Sequence, residues 1–167
     1  MKIIQLCGYK NSGKTTLITA LIPLLKQQGL RVAVIKHDRH GFEMDHEGTD
    51  TYKFREAGAE GIAIASPGRT AMLRETEMEL ASLIQLYSDY DLVIVEGYKM
   101  QSYPKLVLLR GPEDIELVDQ VEEIRGLVVR PDMLKEPSAL HPIQLRTAVP
   151  LFTWNDTEPI TSLLLSL

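Results

Sequence analysis

Residues 2 to 36 fix the class of fold before anything else in the chain is considered. Lys2 to Cys7 is a short apolar run of strand length, Gly8 to Gly13 is a glycine-bounded loop, and an apolar-periodic helix runs from about Lys14 to Gln28, closed by Gly29. Arg31 to Lys36 is β-branched and again of strand length, so this opening spells one βαβ unit. Strands joined in this way are parallel and their crossover is right-handed. A parallel sheet needs cover on both faces, which predicts an α/β protein of three layers with a mostly parallel central sheet.

The loop between the first strand and the first helix carries chemistry. Gly8-Tyr9-Lys10-Asn11-Ser12-Gly13-Lys14-Thr15-Thr16 has two glycines with four residues between them, followed by Lys and Thr, which is the Walker A spacing of P-loop NTPases. The glycines let the backbone wrap close to a polyphosphate, successive N–H groups turn inward, and the helix that follows presents its positive end. In that arrangement Lys14 neutralises the outer phosphates and the Thr15 hydroxyl holds Mg²⁺. All nine residues, Gly8 to Thr16, are therefore candidate phosphate-binding residues.

The remaining chain extends the same architecture. Thr49 or Asp50 starts a helix to about Ala57, and Gly61 to Ala65 is a third strand. After the Pro67-Gly68 turn, Thr70 to Arg74 returns antiparallel, and a helix follows from about Met78 to Tyr87. Asp91 to Glu96 is the most apolar strand and belongs in the middle of the sheet. Lys105 to Leu109, Arg125 to Val129 and the short Val149 to Phe152 complete the strands, with an irregular stretch over 131–148 and a last helix from about Asp156. No linker or repeat interrupts the 167 residues, which predicts one domain.

Composition narrows the function classes. With 18 Lys+Arg against 23 Asp+Glu the net charge is −5, which argues against a protein that grips nucleic acid backbone. The one cysteine, Cys7, provides neither an internal disulfide nor a cysteine-based zinc framework, and fits a reducing, cytoplasmic setting. The longest apolar stretch, Leu17 to Leu25, falls far short of the ~20 residues that span a bilayer, and no signal peptide precedes the first strand.

A metal on nucleotide phosphates commonly takes a further carboxylate from the end of a neighbouring strand. Glu96 ends Leu92 to Val95, and Asp38 follows Val34 to His37, so both are candidate metal and catalytic residues if their strands flank the first. His37, His40 and His46 share one short window with Asp38, Glu43 and Asp45. That segment reads as a phosphate-sensing or substrate-binding loop, as a transition-metal site without zinc-like spacing, or as plain solvated loop. Lys53 and Arg55, on the helix beyond it, are candidates for a second phosphate or are simply solvated.

Taken together, residues 8 to 17, Lys-His-Asp-Arg-His-Gly-Phe-Glu-Met-Asp (36 to 45), Gly-Thr-Asp-Thr-Tyr-Lys (48 to 53), Ala-Gly-Ala (57 to 59) and Asp-Leu-Val-Ile-Val-Glu-Gly-Tyr-Lys (91 to 99) resemble the molybdopterin-guanine dinucleotide biosynthesis protein B family, MobB. The Walker loop is shared by many families, whereas the Lys-His-Asp and Glu-Gly-x-Lys segments are far more specific; beyond residue 100 the resemblance is mainly of strand order. It implies a P-loop fold of the signal-recognition and metallochaperone GTPase class, GTP with Mg²⁺, slow hydrolysis and a homodimer. It also implies an accessory role in molybdenum cofactor maturation beside the guanylyltransferase that attaches GMP to molybdopterin. On that reading Gly13, Lys14, Thr15 and Thr16 bind phosphates and Mg²⁺, Asp38 and Glu96 organise metal and attacking water, and residues 39 to 50 face the pterin product or partner.

The chain departs from related proteins in two places. The Asn-Lys-x-Asp guanine motif of many GTPases is absent, leaving Asp132 and Asn155-Asp156 as weak candidates near late strand ends. Lys10 does not occupy the second motif position, where related dimeric ATPases carry an extra lysine, and no arginine finger is identifiable. The competing readings are a small-molecule kinase or ligase, whose acceptor the histidine segment would hold, and a metal-insertion GTPase using His37, His40 and His46.

Overall fold

The computed structural model describes residues 1–135, 141, 143 and 146–167. In chain order the elements are β1 Lys2–Gly8, α1 Lys14–Gln27, β2 Val32–Lys36, α2 Asp50–Glu56, β3 Gly61–Ser66, β4 Arg69–Arg74 and α3 Leu80–Gln85, followed by β5 Leu92–Glu96, β6 Lys105–Leu109, α4 Glu116–Gln120, β7 Ile124–Val129, β8 Leu151–Thr153 and α5 Thr157–Ser166. Short 3₁₀ turns lie at Pro112–Asp114 and Met133–Lys135. The chain divides into two compact units, Met1–His37 with Ile84–Leu167, and Asp38–Leu83. Of the irregular stretch expected over 131–148, residues 136–140, 142, 144 and 145 lie outside the described residues.

The first unit is built on a six-stranded sheet in the order β2-β5-β1-β6-β7-β8. Every neighbouring pair in it is parallel. With helices on both faces this is the three-layer, parallel-sheet architecture that the opening βαβ unit predicts, and with the Walker loop between β1 and α1 it is the P-loop NTPase fold. Alternation along each strand explains how both faces are filled. Ile4, Leu6, Ile94, Leu106 and Leu108 point to one side, where Leu17 and Leu21 of α1 and Ile160 and Leu164 of α5 cover them. The intervening Val107 and Leu109 point to the other side and pack with Leu117 and Val118 of α4, Val129 and Met133. The first four residues of β5 are all fully buried, as its unbroken apolar run demands. Truncating one such side chain, Leu21→Ala for example, removes packing worth about 2–5 kcal/mol.

β5 pairs directly with β1, whereas β2 lies one strand further out, beyond β5. Of the two acid-bearing strands expected to flank β1, β5, which carries Glu96, does so, whereas β2, which precedes Asp38, does not. The described residues contain no helix long and apolar enough to cross a membrane.

The second unit holds α2 and the antiparallel hairpin of β3 and β4, which pairs Gly61 with Arg74 through to Ser66 with Arg69. This hairpin is a sheet of its own and not part of the central one. Thr49 caps α2 as its position predicts, its hydroxyl accepting from the Tyr52 N–H at 3.1 Å. The helix expected from Met78 to Tyr87 is shorter, Leu80–Gln85; its last turn tightens, with the Tyr87 and Ser88 N–H groups donating to Ile84 and Gln85 three residues back.

Candidate functional site

The carboxyl ends of the parallel strands converge on the phosphate loop. β1 runs into it at Gly8, which sits in register with Leu108 of β6, while Leu6 and Lys36 are both in register with Glu96 of β5. Gly8 is required by space: a Cβ there would lie 2.8 Å from the Leu108 carbonyl oxygen and 2.5 Å from the Ser12 hydroxyl. Gly13 is required by conformation, since it starts α1 with φ of 88°. The Trp154 ring closes over this glycine, 3.1 Å from the position of a Cβ. Asn11 also adopts a left-handed φ of 63°, a conformation that needs support from its surroundings.

Lys14, the first residue of α1, turns back across the loop. Its ammonium donates to the carbonyls of Gly8 at 3.0 Å and Tyr9 at 2.9 Å and to the Ser12 hydroxyl at 3.4 Å. Burial pushes its pKa below the ordinary lysine value, and the nearby Glu96 charge works against that shift. One residue on, the Thr15 hydroxyl donates to both Glu96 carboxylate oxygens, at 3.3 and 3.2 Å. Thr15 and Glu96 thus form an oxygen-only pair beside the loop, the donor type that suits a hard cation such as Mg²⁺. Of the sequence candidates, Gly8, Tyr9, Ser12, Lys14, Thr15 and Glu96 are brought together. Thr16 follows on α1, where its carbonyl accepts from Thr19 at 2.9 Å, and the Lys10 carbonyl faces Arg110.

Asp38 belongs to the second unit, where its carboxylate accepts from the His40 N–H at 3.0 Å. His37 belongs to the first and stacks on Tyr98, ring centroids 4.3 Å apart. Gly97, between Glu96 and Tyr98, approaches His37 so closely that a Cβ would lie 3.0 Å from the histidine Cβ. The carboxylates of the acidic and histidine segment are engaged by local partners. The Arg55 guanidinium holds Glu43 at 2.8 Å and lowers the carboxyl pKa to about 2, while Asp45 accepts from the Thr49 hydroxyl at 2.8 Å. Lys53 pairs with Asp50 at 3.1 Å. Among the described residues no three His, Cys, Asp or Glu side chains converge on a metal-binding point. The two guanine candidates differ: Asp156 turns onto the Thr153 N–H at 2.6 Å, whereas Asp132, paired with Arg130 at 3.2 Å, lines a cavity of about 240 Å³ with Arg110, Glu113 and Met133.

Two features lie outside the sequence reading. Gln5 and Lys105, paired across β1 and β6 and both fully buried, tie down the segment after Glu96. Gln5 donates to the Gly97 and Tyr98 carbonyls at 3.4 and 3.0 Å, and the Lys105 ammonium donates to those of Gln101 and Tyr103. Arg110 reaches the phosphate loop itself, held by Asp114. The four-residue spacing of Arg110 and Asp114 is the one sequence signal for that pair.

Comparison with known proteins places the chain among relatives. The family model for molybdopterin guanine dinucleotide synthesis protein B, MobB, matches residues 3–129. A Bacillus subtilis protein named probable molybdopterin-guanine dinucleotide biosynthesis adapter protein is 34% identical over 142 residues, covering 83% of this chain and 82% of its own. The adapter protein of Escherichia coli is 38% identical over 114 residues, 65% of each chain, so this chain spans a little under two thirds of that relative. A crystal structure of Bacillus subtilis MobB superposes with a TM-score of 0.78 at 29% identity, over 99% of this chain and 97% of that one.

Proposed function

The chain belongs to the molybdopterin guanine dinucleotide synthesis protein B family, and from that membership we propose that it is a GTP-binding adapter of molybdenum cofactor biosynthesis that assists the guanylyltransferase. The observation that carries the nucleotide half of this reading is the grouping of Lys14, Thr15 and Glu96 around a glycine loop at the carboxyl edge of a parallel sheet. Such crevices are where open α/β sheets take their ligands.

The residues fit a magnesium nucleotide. The α1 N-terminus and the loop amides attract phosphate oxygens. Lys14 adds a positive charge that its contacts with the Gly8 and Tyr9 carbonyls hold over the loop. Thr15 and Glu96 would hold Mg²⁺, which when bound neutralises charge on the outer phosphates. Glu96, beside Thr15, is the carboxylate of the first unit that would orient an attacking water. No arginine finger is assigned, and P-loop hydrolysis without one runs as slowly as ~10⁻⁴ s⁻¹, so the protein acts mainly through nucleotide occupancy and partner binding. A cytoplasmic setting accords with this role.

The same reading includes a homodimer, and the second unit supports it. Ile64 and Met72 of the β3–β4 hairpin are 57% and 69% exposed, and Phe42, Met44 and Phe54 are also largely exposed. Ile64 is paired with Ala71 and Met72 with Ala63, so these two side chains stand on opposite faces of the hairpin, and a two-stranded hairpin left uncovered in this way is marginal alone and gains from association.

The test is calorimetric titration with a non-hydrolysable GTP analogue and with its ATP counterpart, each with Mg²⁺, repeated with molybdopterin-loaded guanylyltransferase present. Selective GTP binding that tightens with the partner is expected. ATP preference, or indifference to the partner, overturns the adapter reading and favours a kinase.

A further inference from the structure

We infer that Arg110 is a positioning residue for the phosphate loop, anchored by buried Asp114 and acting through Tyr9 and Lys10. The inference rests on the nucleotide-binding reading above and concerns how the loop is kept ready for its ligand.

The geometry has three joints. Asp114 is 1% exposed and receives three bonds from one residue: the Arg110 backbone N–H at 2.9 Å and Nε at 2.8 Å on one oxygen, and Nη2 at 2.6 Å on the other. A two-pronged pairing of this kind fixes the guanidinium plane as well as its position, which a lysine at the same place would not do. From that anchor Nη1 extends to the Lys10 carbonyl at 3.4 Å. The guanidinium carbon also lies 5.3 Å from the centre of the Tyr9 ring. The Lys99 ammonium lies 5.8 Å from the same ring, and Lys99 follows Glu96 by three residues. Tyr9 is therefore gripped by cations from the ends of both strands that flank β1.

This support is placed where the loop needs it. Tyr9 and Lys10 directly precede Asn11, the non-glycine residue with φ of 63°. A backbone in that region persists only when its surroundings over-determine it. Lys14 holds the inner side of the loop through the Gly8 and Tyr9 carbonyls; Arg110 holds the next peptide, at Lys10. Loss of the brace leaves the loop in its binding geometry for only part of the time, and apparent affinity falls by that fraction.

The experiment is a double-mutant cycle of Tyr9→Leu and Arg110→Gln, read by calorimetry with the Mg²⁺ complex of a non-hydrolysable GTP analogue and by thermal unfolding without nucleotide. Arg110→Gln is expected to weaken binding about tenfold, Tyr9→Leu less, and the double variant no more than Arg110→Gln alone. Arg110→Lys, which keeps the charge and loses the fork, is expected to fall close to Arg110→Gln. Strictly additive losses overturn the inference, as does a Tyr9→Leu protein of unchanged affinity; the guanidinium then acts on the ligand directly or not at all. Tyr9→Leu decides the matter alone if the Arg110 variants do not fold, because Tyr9 is a partly exposed loop residue. Lys14→Ala separates the two readings: if it binds normally, nucleotide binding at this loop is wrong, whereas if it loses binding while Tyr9→Leu and Arg110→Gln keep it, only the brace is wrong.

Discussion

Glu96→Gln probes the metal end of the site with little change of shape. The Thr15 hydroxyl lies 3.2 and 3.3 Å from the two Glu96 oxygens, so a Mg²⁺ held by that hydroxyl would lie on the order of 4 Å from the carboxylate charge. Two unit charges at that distance are worth about 1 kcal/mol in bulk water, and the second charge of the ion doubles this to about 2 kcal/mol. The bulk-water value is a lower limit, because Glu96 is half-buried. About 2 kcal/mol corresponds to roughly a thirtyfold rise in the Mg²⁺ concentration needed to saturate the complex. Without metal the sign reverses: the carboxylate repels the phosphates, so the variant binds metal-free nucleotide as well as the parent or slightly better. Calorimetric Mg²⁺ titrations at saturating GTP analogue, beside titrations of nucleotide in chelator, read both arms. Superimposable Mg²⁺ curves for parent and variant would refute the placement of the ion between Thr15 and Glu96.

Lys14→Ala is expected to abolish measurable triphosphate binding while lowering the unfolding midpoint by only about 5 °C, because its bonds go to loop groups at the surface of the fold and not to the core. Asp114 supplies a pH prediction: hydrogen bonding from Arg110 holds its carboxyl pKa below the ordinary value, so it adds stability that is fully present above about pH 4 and is lost as pH falls through the lower folded value. Urea unfolding of Asp114→Asn should therefore lie below the parent at pH 7 and converge on it in acid; a constant gap would mean the charge is irrelevant. If two copies associate through the hairpin as proposed, Ile64→Lys with Met72→Glu should shift sedimentation toward the monomer with nucleotide affinity retained, and an unchanged sedimentation coefficient would remove the hairpin from that role.

What the sequence reveals depends on whether the governing physics is local. A strand, a glycine loop and a helix in immediate succession fix β1, the loop and α1, and periodicity places Leu17 and Leu21 against the sheet. The fully buried run of β5 is legible for the same reason. Arg110 is not legible, because its role depends on β6 lying beside β1, a pairing between residues a hundred positions apart. Lys105 reads as a charged residue at a strand start, yet it is fully buried because carbonyls of Gln101 and Tyr103 fold back onto its ammonium. The histidine and acid segment misleads in the opposite direction. Its density of potential ligands suggests convergence, whereas short polar side chains next to free backbone N–H groups satisfy themselves locally, as Asp38 does with His40 and Glu43 with Met44 and Asp45.

Glu96 and Lys99 bound a four-residue segment that meets the phosphate site twice, once at Thr15 and once at Tyr9. Gln5 and Lys105 pin the backbone that follows, from Gly97 to Tyr103, to the sheet through four carbonyls. A movement of this segment large enough to break those bonds would shift the Glu96 carboxylate and the loop beneath Tyr9 together. For an adapter this arrangement has a thermodynamic consequence. If a partner protein raises GTP affinity by holding the segment in place, GTP must raise partner affinity by the same factor, since the coupling free energy is shared. A tenfold effect in one titration demands tenfold in the other, and weakening the Gln5 tether, as in Gln5→Leu, should reduce both by equal amounts.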